Sequence, residues 1–512
     1  MAMVASYSAI DSNDEDINHP NSGKKSSLSV WLERIPLGWY HNRLLLICGL
    51  GNMADGMEVS LLGFLGACVG ENWNLSTAEV ASIMSVVFAG ELFGGLIWGP
   101  LGDKFGRRPI SIIALAVVSA FGILTSLAPN LPILLVFQFF VGIGVGGMAV
   151  TFDLLAEMLP TSHRGSYLIY LQGFWTIGSA FVTIFAWMLL SNHGWRALAL
   201  VTVVPVSISL ICSIVYLPES PRWLLVHGRT SEAEEVVRQM AAVNKMHIDE
   251  VSLQAADAGS VAHQQSTTAV SEILGTLSDL MVFVSPAYIK LTLPLWTVWF
   301  TFGFGYYGVV LLVVKLFQKK SELNTGEICD FDYGNILLNS SSEVVAVVML
   351  FILIDKWGRV STMSFMFCIA GISAFFFGFE LNYTALMIVS VCARISSMGT
   401  NLSTWVATCE LFPTEMRASG HALATAMERL GSLLSPFLIH SRIGLSAIGI
   451  TLAVINGIGM GCTLCLPETK GVDLDTILLA DPADDSNSDM LNCTPQSCLH
   501  SGKYSEEDND EL

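Results

Sequence analysis

Residues 99–108, GPLGDKFGRR, have a counterpart in residues 350–360, LFILIDKWGRV. In each copy a long apolar run ends in the pattern Asp-Lys-aromatic-Gly-Arg, and the two aspartates, Asp103 and Asp355, lie 252 positions apart. Two more pairs recur at nearly this offset: AEMLPTSHRG (156–165) with CELFPTEMRASG (409–420), and LPESPRWLL (217–225) with LPETKG (466–471). A repeat of this length predicts that the chain consists of two similar halves.

The runs between these motifs are apolar enough to cross a membrane. The 512-residue chain is 52% hydrophobic and 13% charged, with a mean hydropathy of +0.58, which excludes an ordinary soluble domain. A bilayer core requires about 20 apolar helical residues, and twelve such runs are centred near residues 55, 90, 119, 146, 180, 207, 301, 345, 370, 397, 429 and 455. We therefore expect an all-α membrane protein with twelve transmembrane helices in two six-helix repeats.

These repeats divide the chain into five segments. We expect the cytosolic N-terminal tail at 1–40, the first six-helix half at 41–217, a cytosolic linker at 218–287, the second half at 288–466 and an acidic cytosolic tail at 467–512. Within the linker, SEAEEVVRQMAAV predicts one amphipathic helix. No apolar core lies close to the start of the chain, so we expect no cleavable signal peptide.

The basic residues predict how the helices are oriented. With the N-terminus in the cytosol, 18 of the 25 Lys and Arg lie on the cytosolic side and five on the opposite side. The positive-inside rule then predicts that both termini are cytosolic; the membrane is either the plasma membrane or that of an intracellular vesicle. The net charge of −19 comes partly from acidic tails such as SEEDNDEL and implies no nucleic-acid partner.

Several smaller motifs concern packing and modification. Cys68 and Cys329 are the cysteines that approach the non-cytosolic side, where a disulfide between them is conceivable. Asn74 and Asn382 begin N-glycosylation motifs on that side. The run GIGVGG (142–147) resembles a dinucleotide-binding motif, but it lies within a membrane helix with no preceding strand. Close packing of helices through small residues is the better interpretation.

Two carboxylates interrupt the first apolar run. Asp55 and Glu58, in MADGMEV, are three residues apart and share one helix face. Intramembrane acids are costly and usually functional, and they face a cavity rather than lipid. We expect this pair to couple transport to a proton. The alternative is a static salt bridge, or hydrogen bonds to backbone near Gly51 and Gly56.

A basic residue interrupts the eleventh run. An unpaired guanidinium at the bilayer centre costs at least about 2.5 kcal/mol, so Arg429 requires a partner. A substrate carboxylate is one possibility, and a fixed pair with Asp55 or Glu58 is the other. Glu428 is adjacent in sequence, but it points about 100° round the helix.

Aromatic residues in the seventh run, WTVWFTFGFGYYG (296–308), are candidate substrate contacts. Their rings suit flat or cationic solutes through stacking and cation–π contact. We assign substrate binding to Trp299, Tyr306 and Tyr307, together with Trp175 in the fifth run and Arg429. The alternative is an interfacial or lipid-facing aromatic belt.

Charged residues at the cytosolic helix ends form a candidate gate. Ion pairs at such ends are directional and costly to break, so we expect them to knit each half and to close the cytosolic face until the halves rock apart. The alternative is a set of topogenic, snorkelling or capping charges. The candidate gate residues are Asp103, Arg107, Glu157, Arg164, Glu219, Arg222, Asp355, Arg359, Glu410, Arg417 and Glu468.

Three of these motifs, GDKFGRR, PESPRW and LPETKG, together resemble the signatures of the major facilitator superfamily. Within it, MADGMEV, AEMLP, GFWTIGSAF, YYGVVLLVVKLFQ and MERLGSLLSPF resemble the synaptic vesicle 2-related proteins, over about residues 30–472. That branch is similar to niacin transporters and to organic cation and anion transporters. The sugar porters are less similar, since residues 296–308 lack their Gln-rich signature. Gln138 and Phe351 depart from the family pattern, which usually has Arg and Gly there.

This resemblance and the buried charges lead to one expected function. We expect a secondary active transporter that moves a small organic ion together with a proton, and an aromatic carboxylate such as nicotinate is one candidate substrate. A non-transporting vesicle protein or binding receptor is the first alternative, which Gln138 favours, and a sugar porter is the second. We expect no enzymatic activity, no cofactor and no metal. The expected partners are the organic ion, the proton and the lipid bilayer, and the expected state is a monomer.

Overall fold

Long helices account for most of the described chain. The structure, a computed structural model, describes residues 28–248, 251–253, 283–286, 288–319, 329–412 and 417–470. We number the transmembrane helices from 1 to 12 in chain order. Helix 1 is Trp39–Asn72, helix 2 is Thr77–Phe105, helix 3 is Arg107–Ser126, helix 4 comprises Leu131–Gly146 and Met148–Met158, and helices 5 and 6 together form Thr161–Tyr216. Helix 7 is Ile289–Leu316, helix 8 is Tyr333–Trp357, helix 9 is Arg359–Phe376, helix 10 is Tyr383–Leu411, helix 11 is Arg417–Ile439 and helix 12 is Leu445–Thr463.

The prediction of twelve crossings is confirmed, although helices 5 and 6 run together and helix 11 carries two charges within its apolar run. Ten described helices are long and apolar enough to cross a membrane. One of these, Ser162–Tyr216, contains two crossings, because its backbone leaves the helical conformation at Gly194, where φ is 72°. Helix 11 is not among the ten, since Glu428 and Arg429 interrupt its apolar run. It nevertheless packs along helix 7 and against helix 2.

The two halves meet along three main helix pairs. Helix 1 packs against helix 7, helix 2 against helix 11, and helix 5 against helix 8. One continuous apolar cluster includes Phe64 and Phe88 of the first half and Trp299 and Phe302 of the second, all at most 2% exposed. Side chains on the facing sides of these helices therefore lie inside the protein and not in lipid.

Glycines bring helix 4 close to its neighbours. A Cβ added at Gly142 would meet the carbonyl oxygen of Val87, and one at Gly146 would meet that of Glu91, both in helix 2. The interpretation of GIGVGG as a packing motif is therefore confirmed. This close approach fixes the backbone of helix 2 at the level of Glu91.

One end of the bundle, which we call the linker face, carries the helices outside the membrane-spanning set. These are Leu28–Arg34, Pro221–Val226 and Thr230–Val243. The last of them confirms the predicted amphipathic linker helix, and it buries Ala233, Val237 and Met240 in a second apolar cluster shared with Leu28–Arg34. The polar remainder of the linker, at 254–282, lies outside the described residues.

A disulfide lies at the opposite face. Cys68, near the end of helix 1, is bonded to Cys329, and their Cα atoms are 5.6 Å apart. Cys329 precedes strand β2 (Asp330–Phe331), which pairs antiparallel with β1 (Gln318–Lys319). The conceivable disulfide is thus present, and it joins the first half of the chain to the second.

Candidate functional site

Arg429 lies at the centre of an ion cluster built by both halves. Its Nη1 is 2.6 Å from Oε2 of Glu91 in helix 2, and its Nη2 is 3.4 Å from Oδ2 of Asp55 in helix 1. The same Nη1 donates to the hydroxyl oxygen of Tyr307 at 2.8 Å and is 4.0 Å from Oε1 of Glu428. Three carboxylates therefore surround one guanidinium.

Two of these carboxylates are not among the site residues predicted from the sequence. Glu91 is 2% exposed and Glu428 is 4% exposed. Glu428 turns toward the cluster and accepts a hydrogen bond from the Tyr307 hydroxyl at 3.3 Å. Both acids interrupt apolar runs, FAGELFGG and AMERLGSLL, and the default functional reading of intramembrane acids would have found them.

Charge in this cluster does not balance when every group is ionised. One guanidinium faces the carboxylates of Asp55, Glu91 and Glu428, which leaves two negative charges uncompensated. In a low-dielectric interior such an excess is costly. The arrangement can therefore accept a proton or another cation.

Glu58 lies one turn beyond Asp55 but does not come within ion-pair distance of Arg429. It is 8% exposed, and its Oε1 has no hydrogen-bond partner in the part of the chain that the structure describes. Gln138 of helix 4 lies beside it and is fully buried. Neither amide atom of Gln138 meets hydrogen-bond geometry with a described residue.

A second buried ion pair lies between helices 8 and 10. Arg394 Nη2 is 2.8 Å from Oε1 of Glu343, and the two side chains are 3% and 0% exposed. The Tyr306 hydroxyl donates to the same Oε1 at 3.0 Å, while Thr176 of helix 5 donates to Oε2 at 3.3 Å. Neither Arg394 nor Glu343 is among the predicted site residues.

The predicted aromatic contacts belong to one connected series of rings. Trp175 and Tyr306 are neighbours across the halves, with ring centroids 5.6 Å apart, and Tyr307 lies 5.1 Å beyond Tyr306. Tyr306 and Tyr307 each contact one of the two ion clusters, and Trp175 adjoins them through Tyr306. Trp299 lies farther along this series, joined to Tyr306 through Phe302, and its ring is 5.5 Å from that of Trp405.

Four of the six predicted gate residues of the first half, Asp103, Arg107, Glu157 and Glu219, form a compact cluster at the linker face. Arg107 Nη1 is 2.5 Å from Oδ1 of Asp103, and Nη2 is 3.4 Å from Oε1 of Glu157. Glu219 accepts the backbone N–H of Arg107 at 2.9 Å. Burial raises the pKa of Glu219 above its ordinary value, although backbone N–H donors act in the opposite direction.

The second half repeats this arrangement. Arg359 donates from both Nε and Nη2 to the two oxygens of Glu410, each at 2.9 Å, and Glu468 accepts the backbone N–H of Arg359 at 2.7 Å. In both halves a glycine with positive φ precedes the arginine, Gly106 at 107° and Gly358 at 90°. A Cβ at either glycine would meet the carboxylate of Glu219 or Glu468.

Of the four remaining predicted gate residues, only Arg164 and Arg222 have described side chains. Arg164 donates to the carbonyl oxygen of Leu159 at 3.3 Å. Arg222 has its Nε buried without a hydrogen-bond partner among the residues described. The side chains of Asp355 and Arg417 lie outside the described parts of the chain. Every ion pair among the described gate residues joins two side chains of the same half. These contacts therefore stabilise each half separately and do not connect the two halves.

Two six-helix halves, with buried charges at their interface and the same ion cluster at one end of each, define a membrane transporter of the major facilitator fold. The family model described as sugar (and other) transporter matches residues 2–478. The chain is 30% identical to the synaptic vesicle 2-related protein of Rattus norvegicus, over 86% of this chain and 80% of that protein. The chain therefore belongs to the sugar (and other) transporter family of the major facilitator superfamily, in its synaptic vesicle 2-related branch, and it is not an enzyme.

Two further similarities extend this comparison. The niacin transporter NiaP of Acinetobacter baylyi is 27% identical, over 80% of this chain and 88% of that protein. The inward-open structure of the xylose transporter XylE from E. coli superposes with a TM-score of 0.65 at 19% identity, covering 85% of this chain and 99% of that one. The second similarity shows the fold alone.

Proposed function

We propose that the protein is a secondary active transporter that moves a small organic ion, coupled to a proton, by alternating access. The observation that carries this proposal is the position of Arg429 in the second half, 3.4 Å from Asp55 and 2.6 Å from Glu91 in the first. Rocking of one half against the other must change these distances. The charge held at the cluster and the conformation of the protein are therefore linked.

In this proposal the acids carry the proton coupling. Asp55 and Glu58 remain the proposed coupling pair, and Glu91 and Glu428 join them because they share Arg429 with Asp55. Arg429 is assigned to this cluster, since its contacts support the fixed pair considered from the sequence over a direct substrate contact. A proton or cation that enters the cluster compensates part of its negative charge.

The substrate contacts are proposed from the aromatic residues at the interface. Tyr306 and Tyr307 are buried beside the guanidinium groups of Arg394 and Arg429, and the buried Trp175 ring lies 5.6 Å from that of Tyr306. This environment suits a flat aromatic ion. The name of the bacterial relative includes niacin, so nicotinate is the first compound to test. Trp299, which lies toward Trp405, is retained as a more distant contact.

One observation favours a second candidate, a transporter-like membrane protein that binds a ligand without moving it. Gln138 is fully buried beside Glu58, where the family pattern usually has an Arg. An uncharged amide there removes one charge that could exchange partners with Glu58 during a cycle.

We propose that the protein lies in a vesicle membrane or the plasma membrane as a monomer with both termini in the cytosol. The linker face would then be cytosolic and the disulfide would lie on the opposite side. The vesicle-related relatives support the choice of membrane, and the distribution of Lys and Arg supports the cytosolic position of the termini.

Uptake by the purified full-length protein in liposomes tests the proposal. Three compounds share one ring and differ in charge: nicotinate, nicotinamide and 1-methylnicotinamide; xylose tests the sugar alternative. We expect uptake of a charged compound above that of empty liposomes, and we expect a pH gradient to change its rate. Saturable binding without uptake would instead support the receptor, and uptake of xylose alone would support a sugar porter.

A further inference from the structure

A small cavity lies beside Arg394, between the two halves. Its polar wall comprises Ser60 and Thr183 of the first half and Asn339, Ser340 and Arg394 of the second, and the remainder is apolar. In this conformation it has room for roughly one water-sized group. A carboxylate oxygen has that size, whereas a whole organic solute does not.

Arg394 presents donors that have no acceptor in the part of the chain that the structure describes. Glu343 holds its Nη2 at 2.8 Å, whereas Nε and Nη1 are buried without a hydrogen-bond partner among the described residues. The residue is 2% exposed, so bulk water does not satisfy these groups. Buried donors are normally paired, and a guanidinium fork matches the geometry of a carboxylate.

The two buried arginines differ in how much negative charge surrounds them. Arg429 has three carboxylates within 4.0 Å. For Arg394 the described residues provide one, Glu343, whose oxygens also accept hydrogen bonds from Tyr306 and Thr176. An anion is therefore repelled at Arg429, while at Arg394 the ion pair is neutral and still has donors to offer.

We propose that Arg394 forms the subsite that binds the carboxylate of the transported ion, an inference that rests on the proposed function. It assigns the substrate to the class of small organic carboxylates. The anion and the proton then occupy different clusters, the anion at Arg394 and the proton around Arg429.

Hydroxyl groups next to this subsite connect the halves. The Oγ atoms of Ser60 and Ser179 are 2.7 Å apart, and Ser179 donates to Ser340 at 3.2 Å, so one chain of hydroxyls runs from helix 1 through helix 5 to helix 8. A carboxylate in the cavity would contact both halves and would favour the conformation that brings them together. The body of the solute would lie toward Tyr306, whose ring is 5.8 Å from the Arg394 guanidinium carbon.

Binding measurements on the purified full-length protein test this subsite. Radiolabelled nicotinate and nicotinamide share a ring and differ in the carboxylate, so their affinity ratio reports the anion contact. The double variant Glu343→Gln/Arg394→Gln removes both charges and leaves neither unpaired. We expect it to reduce the preference for nicotinate by roughly 10- to 100-fold, the range for losing one charge-assisted hydrogen-bonding group, while nicotinamide binding stays within about twofold.

A second variant adds an internal competitor. Asn339→Asp places a carboxylate in the same cavity wall with almost no change in size, but it loses the hydrogen bond that the Asn339 amide donates to the carbonyl oxygen of Asn335 at 2.9 Å. The new carboxylate should compete with the substrate for Arg394 and abolish the preference for nicotinate, and the melting temperature of the variant shows that it is folded. Arg442→Gln, at an exposed position on the opposite face, is the matched control and should leave the preference unchanged.

Two results would overturn the subsite. One is an unchanged nicotinate preference in a folded Glu343→Gln/Arg394→Gln or Asn339→Asp protein. The other is a wild-type site that binds chloride, with no competition from nicotinate or benzoate. Wild-type liposome uptake separates the two proposals: uptake of 1-methylnicotinamide but of no carboxylate rejects the subsite and keeps the transporter, whereas no uptake of any compound rejects both.

Discussion

Arg429 of helix 11 and Glu91 of helix 2 are 2.6 Å apart, and they belong to different halves of the protein. Both side chains are largely buried, at 15% and 0% exposure. Glu428 and Asp55 complete the surroundings of the guanidinium. Arg429 therefore stabilises the folded protein by compensating acids from three helices, whatever it contributes to transport.

Removing this arginine should destabilise the protein strongly. Arg429→Gln leaves Asp55, Glu91 and Glu428 without their cation, and breaking a buried ion pair from one side typically costs about 3–5 kcal/mol. Arg429→Lys keeps the positive charge but loses the forked guanidinium that contacts Asp55 and Glu91 together. Its loss of stability should therefore be smaller than that of Arg429→Gln. Melting temperatures of the purified variants in detergent measure both losses of stability.

The matching double variant provides the control. Arg429→Gln/Glu91→Gln removes one acid along with the cation, so its loss of stability should be smaller than the sum of the losses in Arg429→Gln and Glu91→Gln. Strict additivity, or an unchanged melting temperature for Arg429→Gln, would contradict the central role of the guanidinium.

Much of the fold was predictable because the bilayer imposes a length on each crossing. Most crossings are apolar runs separated by recurring charged motifs, and the repeat of Arg107 and Glu157 as Arg359 and Glu410 indicated two halves. Helix 11 was found despite its charges, since its apolar run continues on both sides of Arg429. The two-residue strands β1 and β2 carry no comparable signal.

The site was less predictable. The hydrophobic periodicity shows which face of a helix is buried, but it does not show which other helix packs against that face. Asp55 and Arg429 stood out as charges in apolar runs, but nothing in the sequence indicated that Glu91 would be a closer neighbour of Arg429 than Asp55. The pairing of Arg394 with Glu343, 51 positions away in the chain, likewise depends on the packing of helix 10 against helix 8.

The disulfide should hold the halves together after the linker is cut. Cys68 belongs to the first half and Cys329 to the second, so cleavage at a protease site inserted at residue 260 should give two fragments that migrate together without reductant and separate with it. Cys68→Ser is the control and should give separate fragments in both lanes. Separation of the wild-type fragments without reductant would show that the bond does not form in the membrane.

The proposed orientation predicts which segments external reagents reach. In intact cells, tags at residue 260 and at the C-terminus should be protected, because both are expected in the cytosol. Asn74, exposed in the turn between helices 1 and 2, should be accessible to a reagent when replaced by Cys. Permeabilised cells provide the positive control for the tags, and labelling of residue 260 without permeabilisation would reverse the assignment.

The repeated glycine at the linker face should be intolerant of a side chain. Gly358 has a φ of 90°, and the Cβ of Gly358→Ala would meet the carboxylate of Glu468. Backbone strain of this kind costs about 1–3 kcal/mol, so the melting temperature should fall. Gly457→Ala in helix 12, where a Cβ meets nothing within 4 Å, is the matched control. Equal stability of the two variants would argue against the strained turn.

Proton coupling should depend on Asp55 more than on Glu58. Asp55 Oδ2 lies 3.4 Å from Arg429, so its charge belongs to the ion cluster that joins the two halves, whereas Glu58 forms no ion pair with a described residue. We expect Asp55→Asn to be expressed and folded, because Glu91 and Glu428 still compensate Arg429. Its uptake should lose the dependence on a pH gradient, and Glu58→Gln should lose part of it.

Uptake into liposomes at a series of imposed pH gradients measures this difference. Glu79→Gln is the matched control, because Glu79 is an exposed acid that caps the start of helix 2 and should leave the gradient dependence as in the wild type. Retained stability in Asp55→Asn, checked by its melting temperature, separates loss of coupling from loss of fold. If folded Asp55→Asn protein responded to the gradient as the wild type does, Asp55 could not be the group whose proton drives the cycle, and Glu91 would be the next acid to replace.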